Sequence, residues 1–281
     1  MQHLDWREPF RLYNVSQGRA ASTTRAYLYD VARYRRWCSA HDIDPDTASR
    51  VHVLMFIEDY QRTNTQSAAV RRFAALRTYY AWLRSEGRPD DPTEGIRLRH
   101  PETPIQEPFS EDDLRLILRA CRRIQDRSLI QLLIDTGLRL SELTALRLRD
   151  VNWAHGTIRI RGKGDKVRLL ALGNDALAAL RLSMDGRDYP WYSQRIHGPM
   201  TPDGVYRLMR RLSARTGLHI HPHRFRTTFA CRFLEQSGND VEALQLLMGH
   251  AKLETTLHYT RWGRTERALA QQRRVALGDR L

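Results

Sequence analysis

A proline-rich segment from residue 88 to residue 108 divides this chain into two parts. It contains five prolines and shows no apolar periodicity. Because proline lacks a backbone N–H and restricts the residue before it, helices and central strands end at such segments. A length of 281 residues also suits two domains better than one. We therefore predict an N-terminal domain over residues 1–100, a linker over 101–108 and a second domain over 109–281.

The residues before the proline-rich segment predict a small all-helical domain. Apolar side chains recur there at three- and four-residue steps, which is the spacing of one helix face. Asp46 stands where it could cap the second helix, and Gly87 follows the third, as glycine often does at a helix end. Most arginines of the third helix, Arg72 among them, lie outside its apolar face, which predicts a basic outer surface. The predicted helices are 22–40, a helix through 53–60, and one through 70–83.

The second part of the chain predicts further helices around one small sheet. Ser110 and the acidic residues after it resemble a helix-capping signal. Residues 157–161 alternate between polar and apolar side chains like a strand, and 167–170 resume the pattern after the turn sequence GKGD. The fold class expected is mainly α with a small antiparallel β-sheet, an α+β domain. The helices predicted here include one through 129–133, a short one at 141–148, and 175–182, 203–216, 226–236, 241–248 and 254–260.

The charge balance predicts a polyanionic partner. The chain has 46 Lys and Arg against 32 Asp and Glu, a formal net charge of +14, and arginine greatly outnumbers lysine. Arginine favours planar, bidentate contacts with phosphate, so nucleic acid is the partner class indicated. Three widely spaced cysteines predict a reducing compartment without a disulfide framework. With no signal peptide and no long apolar run, the expected location is the cytoplasm, and no membrane contact is expected.

Several residues of the second part could act on a phosphate. Arg139 follows a glycine turn, and Glu142 lies three residues later, within reach of its guanidinium. His223 and Arg226 lie three apart at the start of a helix and can face the same side. Taken singly, each is more often an exposed charge. Arg224, between them, is interpreted as a DNA-facing or surface charge.

Three more candidates complete the set. His250 follows a glycine, and Tyr259, nine residues later, is a possible oxygen nucleophile. Lys163 stands at the hairpin tip between two glycines, which allow a ligand to approach the backbone closely. The ordinary interpretation of such a lysine is a solvated edge residue. Histidines are numerous from 219 to 258, but no Cys pair or HExxH spacing accompanies them, so neither a metal nor a cofactor is expected.

The order of these motifs resembles the tyrosine recombinase (phage integrase) family. The N-terminal helices, with their YYAWL run, resemble that family's SAM-like core-binding domain in a compact, Xer-like layout. The resemblance extends from about residue 109 to residue 260. Its motifs are TGLRLSEL, RGKGDKVR, HPHRFRTTFA and LMGHAKLETTLHYT.

The resemblance implies a site-specific DNA recombinase or integrase that cleaves and rejoins strands through a 3′-phosphotyrosyl intermediate, without metal or ATP. Lys163 is preferred to Lys166 because it is the first lysine of the GKG turn, and Glu142 is assigned only a supporting role. The departures from the family pattern at Phe225, Thr227 and Met248 remove no reacting group. The roles implied are Tyr259 as nucleophile, Arg139 and Arg226 on the non-bridging oxygens, His223 as general base, Lys163 as general acid, and His250 as a hydrogen-bonding partner of the phosphate.

The same resemblance implies the partners. They are double-stranded DNA, a homotetramer assembled on two DNA sites, and accessory DNA-bending or directionality proteins. The tail 264–281 would dock on a neighbouring protomer, and the two domains would enclose the duplex. Three alternatives stay open: a topoisomerase of the same chemistry, a non-catalytic integrase-derived DNA-binding protein, and a basic helical RNA-binding protein.

Overall fold

The chain forms two compact units, Met1–Thr103 and Pro104–Leu281. Of the segments predicted above, linker residues 101–105, the hairpin turn 163–166 with Lys163 and Lys166, and most of the tail 264–281 lie outside the described residues. The computed structural model describes residues 5–88, 90–99, 106–162, 167–250, 252–262, 264, 268–269 and 272–273.

The first unit is all-helical, as the periodicity predicts. The long helices α2 (Ala21–Ala40) and α4 (Gln66–Ser85) pack on each other, and α1 (Arg7–Ser16), which is not predicted from the sequence, packs against both. Phe10 of α1 is fully buried, with its ring 5.6 Å from the rings of Tyr79 and Trp82. The helices are α1 (Arg7–Ser16), α2 (Ala21–Ala40), α3 (Arg50–Gln61) and α4 (Gln66–Ser85).

The predicted N-terminal cap of the second predicted helix, Asp46, is wrong. Helix α3 is capped by Ser49, whose hydroxyl accepts the backbone N–H of His52 at 3.4 Å, because the helix begins at Arg50. Asp46 lies too far upstream to act as the cap and accepts hydrogen bonds from Arg35 and Tyr79 instead.

Arg72 is also misplaced by the sequence analysis. Its side chain is 2% exposed and donates to Asp30 of α2 at 2.7 and 3.1 Å, and Asp30 is itself buried. The guanidinium lies 4.0 Å from the ring centroid of Tyr60. A counter-charge and an aromatic face thus compensate a burial that an unpaired arginine could not tolerate.

The second unit is mainly helical around a three-stranded antiparallel sheet, in the order β1 (Val151–Asn152), β2 (Thr157–Arg161) and β3 (Val167–Ala171). In the register of β2 and β3, Ile158 faces Leu170 and Ile160 faces Arg168. Ile158 and Leu170 are buried in the core, as the predicted alternation requires. The elements are α5 (Glu111–Ala120), α6 (Ile124–Thr136), α7 (Leu140–Ala145), β1 (Val151–Asn152), β2 (Thr157–Arg161), β3 (Val167–Ala171), α8 (Asn174–Leu182), β4 (Tyr192–Ser193), β5 (Gly198–Pro199), α9 (Pro202–Thr216), α10 (Pro222–Gln236), α11 (Val241–Met248) and α12 (Leu253–Thr260).

Two left-handed glycines position the elements that carry the candidate site. Gly137 ends α6 at φ 56°, and a Cβ there would lie 2.8 Å from the Phe229 ring of α10, so these elements touch through a glycine. Gly249 ends α11 at φ 61°. Since this backbone region suits glycine best, both turns depend on it. Within the described ranges no helix is both long and apolar enough to cross a membrane.

Candidate active site

Arg139 precedes α7 directly and reaches across the unit to the end of α11. Its guanidinium donates to the carbonyl oxygens of Met248 and Gly249, both at 3.2 Å. It also donates to Glu142 at 3.0 Å, while its backbone N–H donates to the other oxygen of that carboxylate at 2.9 Å. The side chain remains 40% exposed, so it is fixed in orientation yet open to a ligand.

Arg226 comes from α10 and meets Arg139 at the same helix end. It donates to the Met248 carbonyl at 2.7 Å, to the Gly137 carbonyl at 2.7 Å, and to Nε2 of His250 at 2.9 Å. Burial, followed by repulsion from Arg139, lowers the pKa of Arg226 to about 10. The guanidinium therefore stays charged at neutral pH.

The imidazole of His250 is held from both sides. A guanidinium can only donate, so Nε2 accepts from Arg226, and Nδ1 carries the proton and donates to Thr256 Oγ1 at 2.8 Å. Burial, followed by the charges of Arg226 and Arg139, lowers the pKa of His250 to about 4. His250 is consequently neutral at physiological pH in the unliganded chain.

Tyr259, a residue of α12, lies beside His250. The two rings are nearly parallel, 11° apart, with centroids separated by 6.2 Å, and the tyrosine is 5% exposed. Burial raises the pKa of the Tyr259 phenol, and Arg226 opposes that rise by its charge and by a hydrogen bond. The phenol is therefore neutral at rest and adjacent to a cation that would stabilise its anion.

His223 stands on the first turn of α10 with its ring stacked on His221 at 6.4 Å. Burial, followed by the charges of Arg226 and His258, lowers the pKa of His223, which favours the neutral form that a base requires. No hydrogen bond joins His223 to Tyr259 in the described part of the chain, so its role stays a prediction. Lys163 lies outside the described residues, and β2 and β3 are the strands that flank its turn.

Arg168 is a residue of the site that the sequence analysis missed. From β3 it donates to both oxygens of Glu142, at 3.0 and 2.8 Å, and to the Leu247 carbonyl at 2.8 Å. The sequence contains a signal for this position, because Arg168 lies two residues before the core residue Leu170 and therefore shares its inward face of the strand. An inward arginine requires a buried acceptor. Burial disfavours the Glu142 carboxylate, but hydrogen bonds from Arg168 and the Arg139 N–H outweigh that cost and lower its pKa.

Arg224 is more than the surface charge that the sequence analysis expects. Its guanidinium lies 4.0 Å from the ring centroid of Phe109 and donates to the carbonyls of Glu107 at 2.8 Å and His219 at 3.1 Å. These contacts fasten the start of the second unit to α10. They occur because the chain entering the unit passes alongside the first turn of that helix.

A basic cleft of about 1390 Å³ adjoins the site. Its walls include Glu142, Gly249 and His250, so the cleft leads directly to the groups described above. Such a concentration of guanidinium groups attracts a polyanion. The arginines along it are Arg139, Arg147, Arg149, Arg159, Arg161 and Arg168.

Sequence comparison relates both units to known protein families. Residues 107–265 match the Phage integrase family, and residues 10–87 match the Phage integrase, N-terminal SAM-like domain. A "Tyrosine recombinase XerC" from Xanthomonas campestris pv. campestris (strain B100) is 34% identical over 269 residues, covering 90% of this chain and 83% of that protein. The XerC of Chromobacterium violaceum is 32% identical over 256 residues, with coverage of 86% and 85%.

Solved structures share the fold. A lambda integrase dimer bound to a COC′ core site superposes with a TM-score of 0.74 at 18% identity, covering 90% of this chain and 75% of that one. The XerH recombinase bound to difH gives a TM-score of 0.67 at 20% identity, with coverage of 88% and 78%. The XerA recombinase gives 0.53 at 24% identity, with coverage of 96% and 98%.

Proposed function

Because the chain belongs to the phage integrase family and is a tyrosine site-specific recombinase, we propose that it cleaves and rejoins duplex DNA through a phosphotyrosine at Tyr259. Its relatives carry the name tyrosine recombinase, and the lambda integrase and XerH structures hold DNA sites. We place the protein in the cytoplasm, where its three free thiols, Cys38, Cys121 and Cys231, would stay reduced.

One observation carries this proposal. Arg139 and Arg226, from segments far apart in the sequence, donate to the same Met248 carbonyl. Arg226 also bonds His250, whose ring lies parallel to that of Tyr259. Two fixed cations, a neutral imidazole and a phenol are thus neighbours, and two of these groups, Arg139 and His250, line the arginine-rich cleft. A DNA phosphate is the ligand that this combination suits.

The proposed reaction begins with attack of the Tyr259 oxygen on the scissile phosphorus. The Tyr–O–P bond forms, the bond from phosphorus to the 5′ oxygen breaks, and the phenolic proton passes to His223. Lys163 gives a proton to the departing 5′ oxygen. Arg139 and Arg226 stabilise the charge on the non-bridging oxygens, and losing one such donor typically costs about 3 kcal/mol of barrier.

His250 would change partners during this step. In the unliganded chain its Nε2 accepts from Arg226. A phosphate oxygen is a stronger acceptor for that guanidinium, so Arg226 would release the imidazole. The freed Nε2 would then take up a proton and donate it to a phosphate oxygen. Rejoining is the reverse attack by a 5′ hydroxyl, which regenerates the Tyr259 phenol.

The assembly proposed is a homotetramer on two DNA sites, with the first unit contributing to DNA binding and the second performing the chemistry. Accessory DNA-bending or directionality proteins would select the outcome. Arginine-rich contacts to phosphate make the expected binding strongly dependent on salt.

A nicked suicide duplex tests the proposal, because loss of a short fragment after cleavage traps the covalent adduct. We expect an adduct from the wild-type chain and none from Tyr259→Phe. Tyr192→Phe, which removes a hydroxyl that is hydrogen-bonded to His197, serves as the control and should retain the adduct. A wild-type chain that binds the site without forming an adduct would identify a non-catalytic DNA-binding protein. Relaxation of supercoils without strand exchange between two labelled duplexes would identify a topoisomerase.

A further inference from the structure

The Glu142 carboxylate is shared by two arginines. Its Oε1 accepts from Arg139 Nη1 and from Arg168 Nη1, each at 3.0 Å. Its Oε2 accepts from the Arg139 backbone N–H at 2.9 Å and from Arg168 Nη2 at 2.8 Å. Arg139 is therefore oriented by a carboxylate whose own position depends on Arg168.

Arg168 also fixes the end of α11. Its Nε donates to the Leu247 carbonyl at 2.8 Å, and the next two carbonyls, Met248 and Gly249, accept from Arg139. Three consecutive carbonyls at the negative end of one helix are thus bound by cations. A displacement of Leu247 would move the acceptors that Arg139 requires.

The glycine before His250 accommodates Arg168. A Cβ at Gly249 would lie 3.0 Å from Arg168 Nη1 and 3.2 Å from its Cζ. The guanidinium therefore packs directly against the Gly249 backbone. Any side chain at this position would push Arg168 away from Glu142.

Arg168 is poorly placed for direct contact with DNA. Only 12% of its side chain is exposed, and each of its three guanidinium nitrogens already donates to a protein acceptor. Its planar fork matches the carboxylate of Glu142, a geometry that lysine cannot reproduce.

We infer that Arg168 is a positioning residue, which sets Glu142 and the last turn of α11 so that Arg139 and Arg226 present their N–H groups to the scissile phosphate. The inference rests on the proposed function. Since Arg168 is the second residue of β3, it also ties that strand to the phosphate-binding arginines through Glu142. Its contribution is to the rate of cleavage and not to DNA affinity.

Single-turnover cleavage of the suicide duplex at saturating protein tests this inference. We expect Arg168→Met to slow adduct formation about 100-fold, the usual effect of misplacing a catalytic group by an ångström. Arg168→Lys, which keeps the charge and loses the fork, should slow it about tenfold. The Kd for the duplex should stay within about twofold for both, since neither variant loses a DNA contact.

Arg115→Met is the matched control. Arg115 also donates to two carboxylates, Glu111 and Asp112, each at 2.8 Å. It is 59% exposed, however, and these partners lie on its own helix, α5, and not in the site. Wild-type cleavage is expected. If Arg168→Met proves unfolded by its thermal transition, Arg168→Lys carries the test, because it keeps the counter-charge of Glu142.

A double-mutant cycle separates positioning through Glu142 from general loss of structure. If Arg168 acts through Glu142, combining Arg168→Met with Glu142→Gln should cleave within about threefold of the slower single variant. The Arg168 charge also depresses the pKa of His250, so the pKa of the His250 imidazole in the free chain, followed by nuclear magnetic resonance, should rise in Arg168→Met and stay in place in Arg168→Lys.

Multiplicative loss in the double variant, or wild-type cleavage by Arg168→Met, would overturn the inference while leaving the proposed function intact. Weakened DNA binding that accounts for the whole effect would overturn it too, by making Arg168 a DNA ligand. Absence of an adduct from the wild-type chain would overturn the proposed function, and this inference with it.

Discussion

Protonation of His250 should destabilise the fold, and the size of the effect follows from its environment. The pKa of His250 is about 4 in the folded chain, against an ordinary value of 6.5. Between those two pH values the unfolded chain binds a proton that the folded chain excludes. Stability is therefore complete above the unfolded pKa and is lost as the pH falls through this window.

The two pKa values give the magnitude. One pKa unit corresponds to about 1.4 kcal/mol, so the full shift amounts to about 3 kcal/mol. Because both states titrate gradually, acidification from about pH 7.5 to about pH 5 should remove about 2 kcal/mol through this group. His221 and His223 also have lowered pKa values and add loss of the same sign. A comparison with a variant must therefore isolate the share of His250.

His250→Gln is the variant suited to that comparison, because an amide can accept from Arg226 and donate to Thr256 without titrating. Urea unfolding at about pH 7.5 and about pH 5 should show a loss smaller by about 2 kcal/mol in His250→Gln than in the wild-type chain. Equal losses in both chains would refute the argument.

Nuclear magnetic resonance provides the direct measurement. The imidazole C–H signal that disappears in His250→Gln belongs to His250. It should not titrate until the pH is well below the pKa of a free histidine. A transition near the ordinary histidine value would show that the Arg226–His250 hydrogen bond is not formed. In a complex of Tyr259→Phe with duplex DNA, the pKa of His250 should rise, because a phosphate replaces it as the acceptor of Arg226.

Three further predictions concern single positions. Gly249→Ala places a Cβ 3.0 Å from a guanidinium nitrogen of Arg168, on a backbone with φ 61°. It should therefore cost about 1–2 kcal/mol in urea unfolding and slow adduct formation. A neutral result in both assays would contradict the geometry. Arg72→Met removes both hydrogen bonds that Arg72 donates to buried Asp30 and leaves it the exposed Arg71 at 3.8 Å, so the change should cost about 3–5 kcal/mol in thermal unfolding. Adding Asp30→Leu should restore most of that loss, and a double variant as unstable as the single would be the contrary outcome. Lys163→Ala should fail to cleave ordinary DNA but should cleave a duplex with a 5′-bridging phosphorothiolate, because the sulfur leaves without needing a proton. Lys166→Ala, the control, should cleave both substrates. If rescue by the phosphorothiolate were confined to Lys166→Ala, the two assignments would be exchanged.

Local periodicity was sufficient for most of the fold. Helix α4 and the strands β2 and β3 follow from apolar spacing within a few residues, which is information that the sequence carries locally. The motifs also named Arg139, Arg226, His250 and Tyr259 before any geometry, and the structure brings these four together. Their individual roles remain predictions.

What the sequence did not reveal depends on partners distant along the chain. Arg72 is expected on the surface until Asp30, 42 residues away, is seen to neutralise it. Helix α1 is short, and its stability derives from the rings of Tyr79 and Trp82, which periodicity within α1 cannot show. Arg168 acquires its place from Glu142 and Leu247, neither of which is near it in sequence.

The end of α11 contributes three main-chain carbonyls as acceptors for the arginine cluster. An acceptor supplied by the backbone is present whatever residue occupies the position, so Leu247 and Met248 are free to drift among apolar residues that pack equally well. The geometry is instead vulnerable to insertion or deletion, because one residue more or fewer between Leu247 and His250 would rotate every carbonyl away from its arginine. Natural variation at this helix end should consequently appear as substitution and almost never as a change in length.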